Sequence, residues 1–381
     1  MTTRRLPTWC VACVIAVAVC AITRTARAQS TDLRNGELWG QAAPPTTAGW
    51  RQLAASGPFV FRAGLEVIGQ YAFRLTNDVD ASRVLQATTS NRFDLPRAHL
   101  AVTGDLGPAR ARVVVEAVRS ASEGALIGVA GDSWVVRLRE AYASVRARDW
   151  LEVQLGVVPT LTVPSIEGTW RLRMSGPVPV EEARLLAPAD LGVAARVRLP
   201  RGYGTVSVGV FNGDGYNQRE FNRGKNLEVA AEIHPFPLGR GRPFALLASL
   251  VVGTSGVTDA IAHRLTVGVL YQGMIVRAGT VFTYAWGVED RPDRQAYVLE
   301  AFANLAPVER MILAVRGSYT VRNTVVDDDH VWSLLVAGGV RVVESVEALA
   351  VVRRSIPGIA TRSAVPGSDF WELSAVARAA F

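Results

Sequence analysis

Apolar and polar residues alternate with a period of two over long parts of this chain. The clearest example covers residues 59–74, where one parity is apolar and the other is polar. The apolar positions are Phe59, Phe61, Leu65, Val67, Tyr71 and Phe73, and the polar positions are Arg62, Glu66, Gln70 and Arg74. A period of two predicts a β-strand, because successive side chains point to opposite faces of a sheet. A single half-buried strand of a soluble protein would look the same, so the prediction depends on the whole series.

The same alternation recurs along the chain and predicts about sixteen strands, an even number within the range of bacterial outer-membrane barrels. They fall at residues 58–74, 93–105, 109–119, 134–147, 150–158, 190–199, 203–212, 226–236, 244–254, 262–272, 274–286, 295–305, 309–321, 331–341, 343–354 and 369–381. Short connections alternate with long ones, as periplasmic turns and external loops do in such barrels. The sequence therefore predicts an all-β fold, a transmembrane antiparallel β-barrel, with a soluble β-sandwich as the alternative.

Hydropathy and the positions of the aromatic residues favour the barrel over the sandwich. The chain is 49% hydrophobic, yet beyond its N-terminus it has no apolar run long enough for a transmembrane helix. A membrane protein without such runs satisfies its backbone in a closed barrel. Aromatics collect near the strand ends, as in the girdles of these barrels. The expected outer girdle is Trp134, Trp286, Trp332 and Trp371, and the inner one is Trp150, Tyr203, Phe236, Phe244 and Tyr271.

Residues 159–189 interrupt the alternation. They show neither a strand nor a helix period and contain five prolines: Pro159, Pro164, Pro177, Pro179 and Pro188. A loop of this length in a compact domain is usually functional or disordered. Counting the long connections makes it the third external loop. We predict that it folds into the lumen and narrows it.

The N-terminus predicts export. Residues 1–28 read as a signal peptide, with a basic start at Arg4 and Arg5, an apolar run, and a small-x-small site that ends at Ala28. Residues 29–57 are polar and rich in Pro, Thr and Gly, and predict a periplasmic lead-in with little fixed structure. The barrel is expected at 58–381. A lipoprotein signal at Cys20 is disfavoured, since Val19 is too large for the preceding position.

Cysteine content and charge narrow the function classes. All three cysteines lie within the signal, so the expected mature chain has no disulfide, thiolate metal site or thiol nucleophile. The net charge of +7 falls to +3 when the four arginines of the signal are removed. No basic cluster with interleaved aromatics is present, so nucleic acid is an unsuitable partner for this exported chain. The four histidines show no metal-ligand spacing, and no catalytic or cofactor motif appears.

The parity of the strands sends more arginines than acids into the lumen. Rings of arginine favour anions, and the planar guanidinium fork suits phosphate and carboxylate. The candidate anion contacts are Arg112, Arg137, Arg139, Arg196 and Arg198 on the wall and Arg171 and Arg173 on the loop; Glu167, Glu181 and Glu182 are the candidate constriction acids. The alternative is that these charges pair with one another in a wet lumen. Glu140 falls on the apolar parity, which indicates either a protomer contact or a slip in register.

Two stretches resemble one family. Residues 190–237 contain a strand that opens on Asp-x-Gly, a hairpin, and Val-Phe-Asn-Gly-x-Gly at 210–215; residues 138–142 (Leu-Arg-Glu-Ala-Tyr) and the following strand at 150–158 come before the long loop. This pattern resembles the phosphate-selective porin O and P family over about residues 138–237. The resemblance implies a sixteen-stranded outer-membrane barrel, usually a trimer, for passive uptake of small anions or other solutes. Lys225 is the only lysine, whereas the phosphate-specific members have a lysine-rich mouth.

These observations predict a passive outer-membrane porin that prefers anions and needs no cofactor or metal. Its expected partners are outer-membrane lipid, lipopolysaccharide, small anionic or polar solutes and two further copies of the chain. A non-selective or sugar/dicarboxylate channel, a plugged structural or adhesive barrel, and a barrel enzyme are the alternatives.

Overall fold

The computed structural model describes residues 51–56, 59–79, 85–119, 134–213, 215–216, 223–238, 243–255, 260–308 and 310–381. The predicted signal peptide and residues 29–50 of the predicted lead-in lie outside the described residues. Residues 51–56 form a strand, β1 (Arg51–Ser56), although little fixed structure was expected there. Its backbone pairs with the start of the first barrel strand, from Ser56 opposite Phe59 to Arg51 opposite Ala63.

Sixteen antiparallel strands, β2 to β17, make one closed barrel. They are β2 (Phe59–Val79), β3 (Leu85–Leu106), β4 (Ala109–Arg119), β5 (Trp134–Arg148), β6 (Leu151–Pro159), β7 (Ala189–Arg198), β8 (Gly204–Phe211), β9 (Asn226–Ile233), β10 (Phe244–Val252), β11 (His263–Gln272), β12 (Val276–Val288), β13 (Arg291–Leu305), β14 (Met311–Val321), β15 (His330–Val343), β16 (Val346–Pro357) and β17 (Phe370–Ala380). Each strand pairs with the next, and β17 closes the barrel against β2. The predicted strand number and fold class are confirmed.

Two connections are tighter than the sequence indicated. Residues 75–92 were expected to form a long loop, but β2 runs to Val79 and β3 begins at Leu85, so strand covers most of that range.

Residues 287–294 were also expected to form a long loop, but β12 runs to Val288 and β13 begins at Arg291. The two residues between them, Glu289 and Asp290, both have left-handed backbone conformations, with φ of 53° and 61°. Two consecutive left-handed residues are typical of the type I′ hairpin turn, whose twist matches that of the flanking strands. Asparagine, aspartate and glycine are the usual residues in such a turn, and glutamate is uncommon in the left-handed conformation. Only Asp290 therefore indicated the turn in the sequence.

The outer face of the barrel is apolar and exposed. Along β10, for example, exposed and buried residues alternate at every position. The tryptophans of the expected outer girdle are all at least 36% exposed: Trp134, Trp286, Trp332 and Trp371. Aromatic side chains also contact one another across β12 to β15, as between Tyr319 and Trp332 at 4.3 Å. An apolar band of this kind flanked by aromatics suits a lipid environment.

A β-bulge explains the position of Glu140. In the β4–β5 ladder, Val114 pairs with Glu140 and Val115 pairs with Leu138, so Arg139 has no partner. The extra residue shifts the parity of β5 by one, and both Arg139 and Glu140 point inward, with 5% and 8% exposure. The slip in register is therefore the correct interpretation, and the protomer contact is not needed to explain this residue.

Candidate functional site

The long loop, residues 160–188, connects β6 to β7 and contains short helices. Helix α1 (Val163–Trp170) has Pro164 in its first turn, and helix α2 (Pro179–Glu182) begins on proline. Proline suits these positions because its φ is already helical and the missing N–H would have no intrahelical partner. Arg171 ends α1 in a left-handed conformation, with φ of 55°. A turn of 3₁₀-helix follows at Arg173–Ser175.

The apolar side chains of the loop are as buried as those of a protein core. Val163, Ile166 and Val180 are 0% exposed, and Trp170 is 1% exposed. They form one cluster with inward-facing residues of β10 to β15, which we call the apolar wall: Ala245, Leu247, Leu270, Val281, Phe302 and Leu335. Trp170 contacts Phe302 edge to face, at 5.5 Å between ring centroids. Burial of this apolar surface holds the loop against one side of the barrel.

Hydrogen bonds from the wall satisfy the loop backbone. Arg264 donates to the carbonyl of Leu185 at 3.0 Å, and Arg316 donates to that of Pro177 at 2.8 Å. The Trp170 carbonyl accepts from Asn304, and the Ser175 carbonyl accepts from Arg353. A buried irregular segment needs such partners because unpaired carbonyl groups are costly. These inward arginines therefore hold the loop in place.

The opposite side of the barrel is charged. We call the inward-facing charged residues of β2 to β5, with His99, the charged wall: Arg62, Glu66, Arg74, Arg97, His99, Asp105, Arg110, Arg112, Glu116, Arg137, Arg139 and Glu140. Strands β4 and β12 are separated by half of the barrel in both directions, so the charged and apolar walls face each other.

Glu116 is the centre of the largest charge cluster. This carboxylate is fully buried, and Arg137, Arg139 and Arg97 approach it at 2.6, 3.5 and 3.7 Å. The Tyr216 hydroxyl donates to it at 2.6 Å and accepts from Arg137 at 2.9 Å.

Three guanidinium groups and the His99 ring, whose Nε2 is 3.1 Å from the carboxylate, thus share Glu116. On this wall the guanidinium groups outnumber the carboxylate, and the loop carboxylate Glu181, which acts on Arg97 and Arg139, reduces that excess.

Burial raises the pKa of Tyr216, together with the charge of Glu116, and arginine charges oppose the shift. The hydroxyl therefore stays protonated at neutral pH and remains able to donate to Glu116.

The loop residue Arg173 lies close to Arg97 and Arg139 of this cluster. Its guanidinium makes two hydrogen bonds to Glu181, at 2.7 and 2.8 Å, and an ion pair with Glu167. Burial and the positive charges of Arg97 and Arg139 lower the pKa of Arg173 to about 9, and Glu181 opposes the shift. At neutral pH Arg173 is charged, so arginine occurs on both the loop and the charged wall.

Two further ion-paired groups follow along the charged wall toward the short turns. Arg112 donates to Glu140 at 2.7 Å. Nearer the short turns, Arg110 donates to Asp105 at 2.6 Å, and Arg62 binds the same carboxylate. Here, too, two guanidinium groups share one carboxylate.

The structure separates the other predicted site residues from the Glu116 cluster. Arg196 is 4% exposed and donates to the Pro159 carbonyl at 3.4 Å, near the start of the long loop. Arg198 is at the short-turn end of β7. Glu182 faces Arg316 and Arg353 at 3.5 and 3.8 Å, on the opposite side from Glu181. Arg171 is exposed and donates to the Gly168 carbonyl at 3.4 Å.

Three residues of the cluster were not among the sequence-predicted site residues. Arg97 and Glu116 have the inward parity of their strands, but that signal is shared by many other charges. Tyr216 follows the glycines of the 210–215 motif, and no periodic pattern covers it. Its contact with Glu116 joins residues 100 positions apart.

Neither a metal cluster nor a helical membrane span emerges from the described ranges. No three His, Cys, Asp or Glu side chains there are grouped as metal ligands. None of the helices in the same ranges combines the length and the hydropathy that a bilayer span requires.

Comparison with known proteins shows the fold. No family model and no curated protein matches the sequence. The outer-membrane channel DcaP of Acinetobacter baumannii is similar in structure, with a TM-score of 0.58 at 10% identity, covering 87% of this chain and 99% of that one. Salmonella typhi OmpF in complex with daunomycin has a TM-score of 0.61 at 12% identity, covering 86% of this chain and 99% of that one. An anion-selective porin from Comamonas acidovorans has a TM-score of 0.55 at 12% identity, covering 85% of this chain and 100% of that one. The chain has the fold of bacterial outer-membrane porins.

Proposed function

We propose that this protein is a bacterial outer-membrane porin for passive diffusion of small solutes and that it prefers anions. The fold and the exposed apolar face support the location. The path would run between the long loop and the charged wall, because the apolar wall is covered by the loop. No catalytic step and no cofactor form part of the proposal.

The sharing of carboxylates along the charged wall carries the anion preference. Arg97, Arg137 and Arg139 share Glu116, and Arg62 and Arg110 share Asp105. Where two or three guanidinium groups share one carboxylate, the group as a whole keeps a positive charge. That charge attracts anions even though each arginine has a carboxylate nearby. The anion-selective porin among the structural neighbours is consistent with this proposal, although the similarity at 12% identity concerns the fold.

Phosphate selectivity is a narrower proposal with weaker support. The resemblance over residues 138–237 favours phosphate or carboxylate solutes, and arginine is suited to both. The single lysine, Lys225, cannot supply a lysine-rich mouth. We therefore propose small oxyanions as a class and do not restrict the solute to phosphate. The same resemblance supports a homotrimer, with lipid and lipopolysaccharide around it, and crosslinking of the protein in membranes tests that assembly.

The zero-current potential of the purified protein in a planar bilayer tests the function. Under a gradient of KCl, we expect a potential whose sign corresponds to chloride carrying more current than potassium. Open channels that give a potential of the opposite sign, or no potential, would support a porin but contradict the anion preference.

The burial of the loop favours a second candidate, a barrel whose lumen is plugged. Its apolar side chains are buried like a protein core, and such a plug would serve a structural or adhesive role. Protein that inserts as a folded barrel, shown by heat-dependent migration on a gel, yet gives no current steps would favour this candidate over the porin.

A further inference from the structure

A second polar cavity lies away from the Glu116 cluster. Its surface includes the side chains of Ser318, Ser333 and Ser355 on β14, β15 and β16, together with Arg316, Arg353 and the loop residue Glu182. The three serines lie toward the strand ends that carry the longer connections, on the side of the loop away from the short turns.

The strand register brings the three serines into one row. Ser318 pairs directly with Ser333, and Ser333 pairs directly with Ser355. Directly paired side chains on one face lie about 5 Å apart, so three hydroxyl groups are presented side by side. In the next inward row are Arg316 and Arg353, each two residues from a serine on its own strand.

The hydroxyls of this row have capacity for a ligand. Among the described residues, none of the three makes a hydrogen bond to protein, although Ser318 and Ser355 are only 8% and 5% exposed. Because the three side chains line the cavity, their hydroxyl oxygens are accessible to water or to a solute. Each serine can donate one hydrogen bond, and each guanidinium has five N–H groups, of which the loop carbonyls use only part.

Glu182 occupies the cavity loosely. Its carboxylate is 3.5 Å from Arg316 and 3.8 Å from Arg353, and its side chain is 36% exposed. Charge-assisted hydrogen bonds in proteins are usually about 2.7–2.9 Å long. The position of the Glu182 carboxylate therefore shows that the two guanidinium groups attract an anionic oxygen. Its distances are too long for it to form strong hydrogen bonds to both of them. Glu300, which pairs with Ser318 in the same row, is 1% exposed and does not line the cavity, although its carboxylate also acts on Arg316.

We propose that this cavity, the serine-row site, binds a small oxyanion. Arg316 and Arg353 supply its charge complement, the serine hydroxyls donate to its remaining oxygens, and Glu182 competes with it for the guanidinium groups. Phosphate and carboxylate share this chemistry. Glu182 contributes to this site, whereas the preceding residue of α2, Glu181, pairs with Arg173. Occupancy of the site does not require that the barrel conducts.

Equilibrium dialysis of the full chain in detergent tests the proposal, with radiolabelled inorganic phosphate as the probe and chloride keeping ionic strength constant. We expect wild-type protein to bind one equivalent of phosphate at this site. The double variant Ser333→Ala/Ser355→Ala should raise the Kd of that equivalent by about tenfold, since hydrogen bonds to a charged group are lost. Ser374→Ala is the matched control, because that hydroxyl already bonds to Gln70 and Glu372 outside the cavity. Competition by succinate distinguishes a site for oxyanions in general from one restricted to phosphate.

The adjacent glutamates supply a second test. Glu182→Gln should tighten binding severalfold by removing the competing carboxylate, whereas Glu181→Gln should not, because Glu181 pairs with Arg173. Equal effects of these two substitutions, or unchanged binding in the double serine variant, would overturn the serine-row site. A barrel that binds phosphate here but gives no current would overturn the proposed porin function and leave this site standing.

Discussion

The apolar and charged walls of this barrel use the same strand geometry for opposite purposes. On both, every second side chain points inward. On the apolar wall those side chains are leucine, valine, alanine and phenylalanine, and the loop covers them. On the charged wall they are arginines that outnumber the acids they contact. The difference shows that one inner face can hold a long loop by apolar contact while the opposite face keeps its charged side chains.

The arginines confirm the contrast, because their roles differ with the wall. Arg264, Arg316 and Arg353 donate to loop carbonyls and so hold the loop in place. Arg137 and Arg139 contact a carboxylate that they share with Arg97. An inward arginine is therefore not by itself an anion contact, and its partner decides what it does.

The largest expected effect comes from detaching the loop from the apolar wall. Ile166→Asp places a carboxylate at a position that is 0% exposed, which costs several kcal/mol in the docked loop. We expect the loop to leave the wall and the single-channel conductance to rise more than about twofold, because conduction follows the open cross-section.

Val325→Asp is the control for this experiment, since Val325 is 77% exposed on the loop between β14 and β15. It should leave the conductance unchanged. Both variants must first show the heat-dependent gel migration of a folded barrel. A folded Ile166→Asp variant with wild-type conductance would mean that the loop does not limit the current.

A smaller effect is expected from the charged wall. Arg137→Gln removes one of three guanidinium groups around Glu116 and should lower the chloride-to-potassium permeability ratio about twofold, since a nearby charge in water contributes up to about 1 kcal/mol. Glu116→Gln should raise the ratio. The zero-current potential measures both changes.

Arg148 supplies the comparison for these charge variants, because it is exposed at the turn between β5 and β6. Arg148→Gln removes the same charge and should change the ratio less. Similar shifts for Arg137→Gln and Arg148→Gln would show that net charge, and not the Glu116 cluster, sets the selectivity.

The smallest effect concerns pH and the loop carboxylate Glu181. Burial alone would raise its pKa, but Arg173, followed by Arg139 and Arg97, lowers it below the usual 4.5. A carboxylate with a lowered pKa stabilises the folded state above its unfolded pKa, and that contribution is lost as pH falls through the folded value. We therefore expect Glu181 to add no change in selectivity between pH 8 and pH 5.

Only at pH values below the ordinary titration range of a glutamate should protonation of Glu181 make the loop more positive and slightly increase the preference for anions. The comparison is between the wild type and Glu181→Gln across the same pH series. A difference between the two that varies from pH 8 to pH 5 would contradict the lowered pKa.

Much of the barrel could be predicted because strand alternation is a local property. The inward or outward direction of a side chain follows from parity, and this held for β2 from Phe59 to Arg74 and for β12 from Val276 to Trp286. It failed at Glu140, because Arg139 is one extra residue in β5 and reverses the parity of the residues that follow it. Nothing local in that stretch distinguishes a bulge from an outward-facing acid.

The site was less predictable because its members meet across the sequence. Arg137, Arg139 and Arg173 were expected on one path, and the structure does bring them near one another. Arg112 and Arg196 lie apart from them, and the sequence had no way to rank inward arginines by their partners. Tyr216 entered the cluster from a loop whose position depends on the closure of the whole barrel.

The sequence by itself determined the sixteen barrel strands and their apolar outward face, since a period of two depends on neighbouring residues, but it missed β1 and the full lengths of β2 and β3. Only the tertiary structure decided which wall the loop covers and which arginines share a carboxylate. Those choices depend on contacts between residues 160–188 and strands far along the chain, where burial of apolar side chains and pairing of buried carbonyls outweigh any local preference.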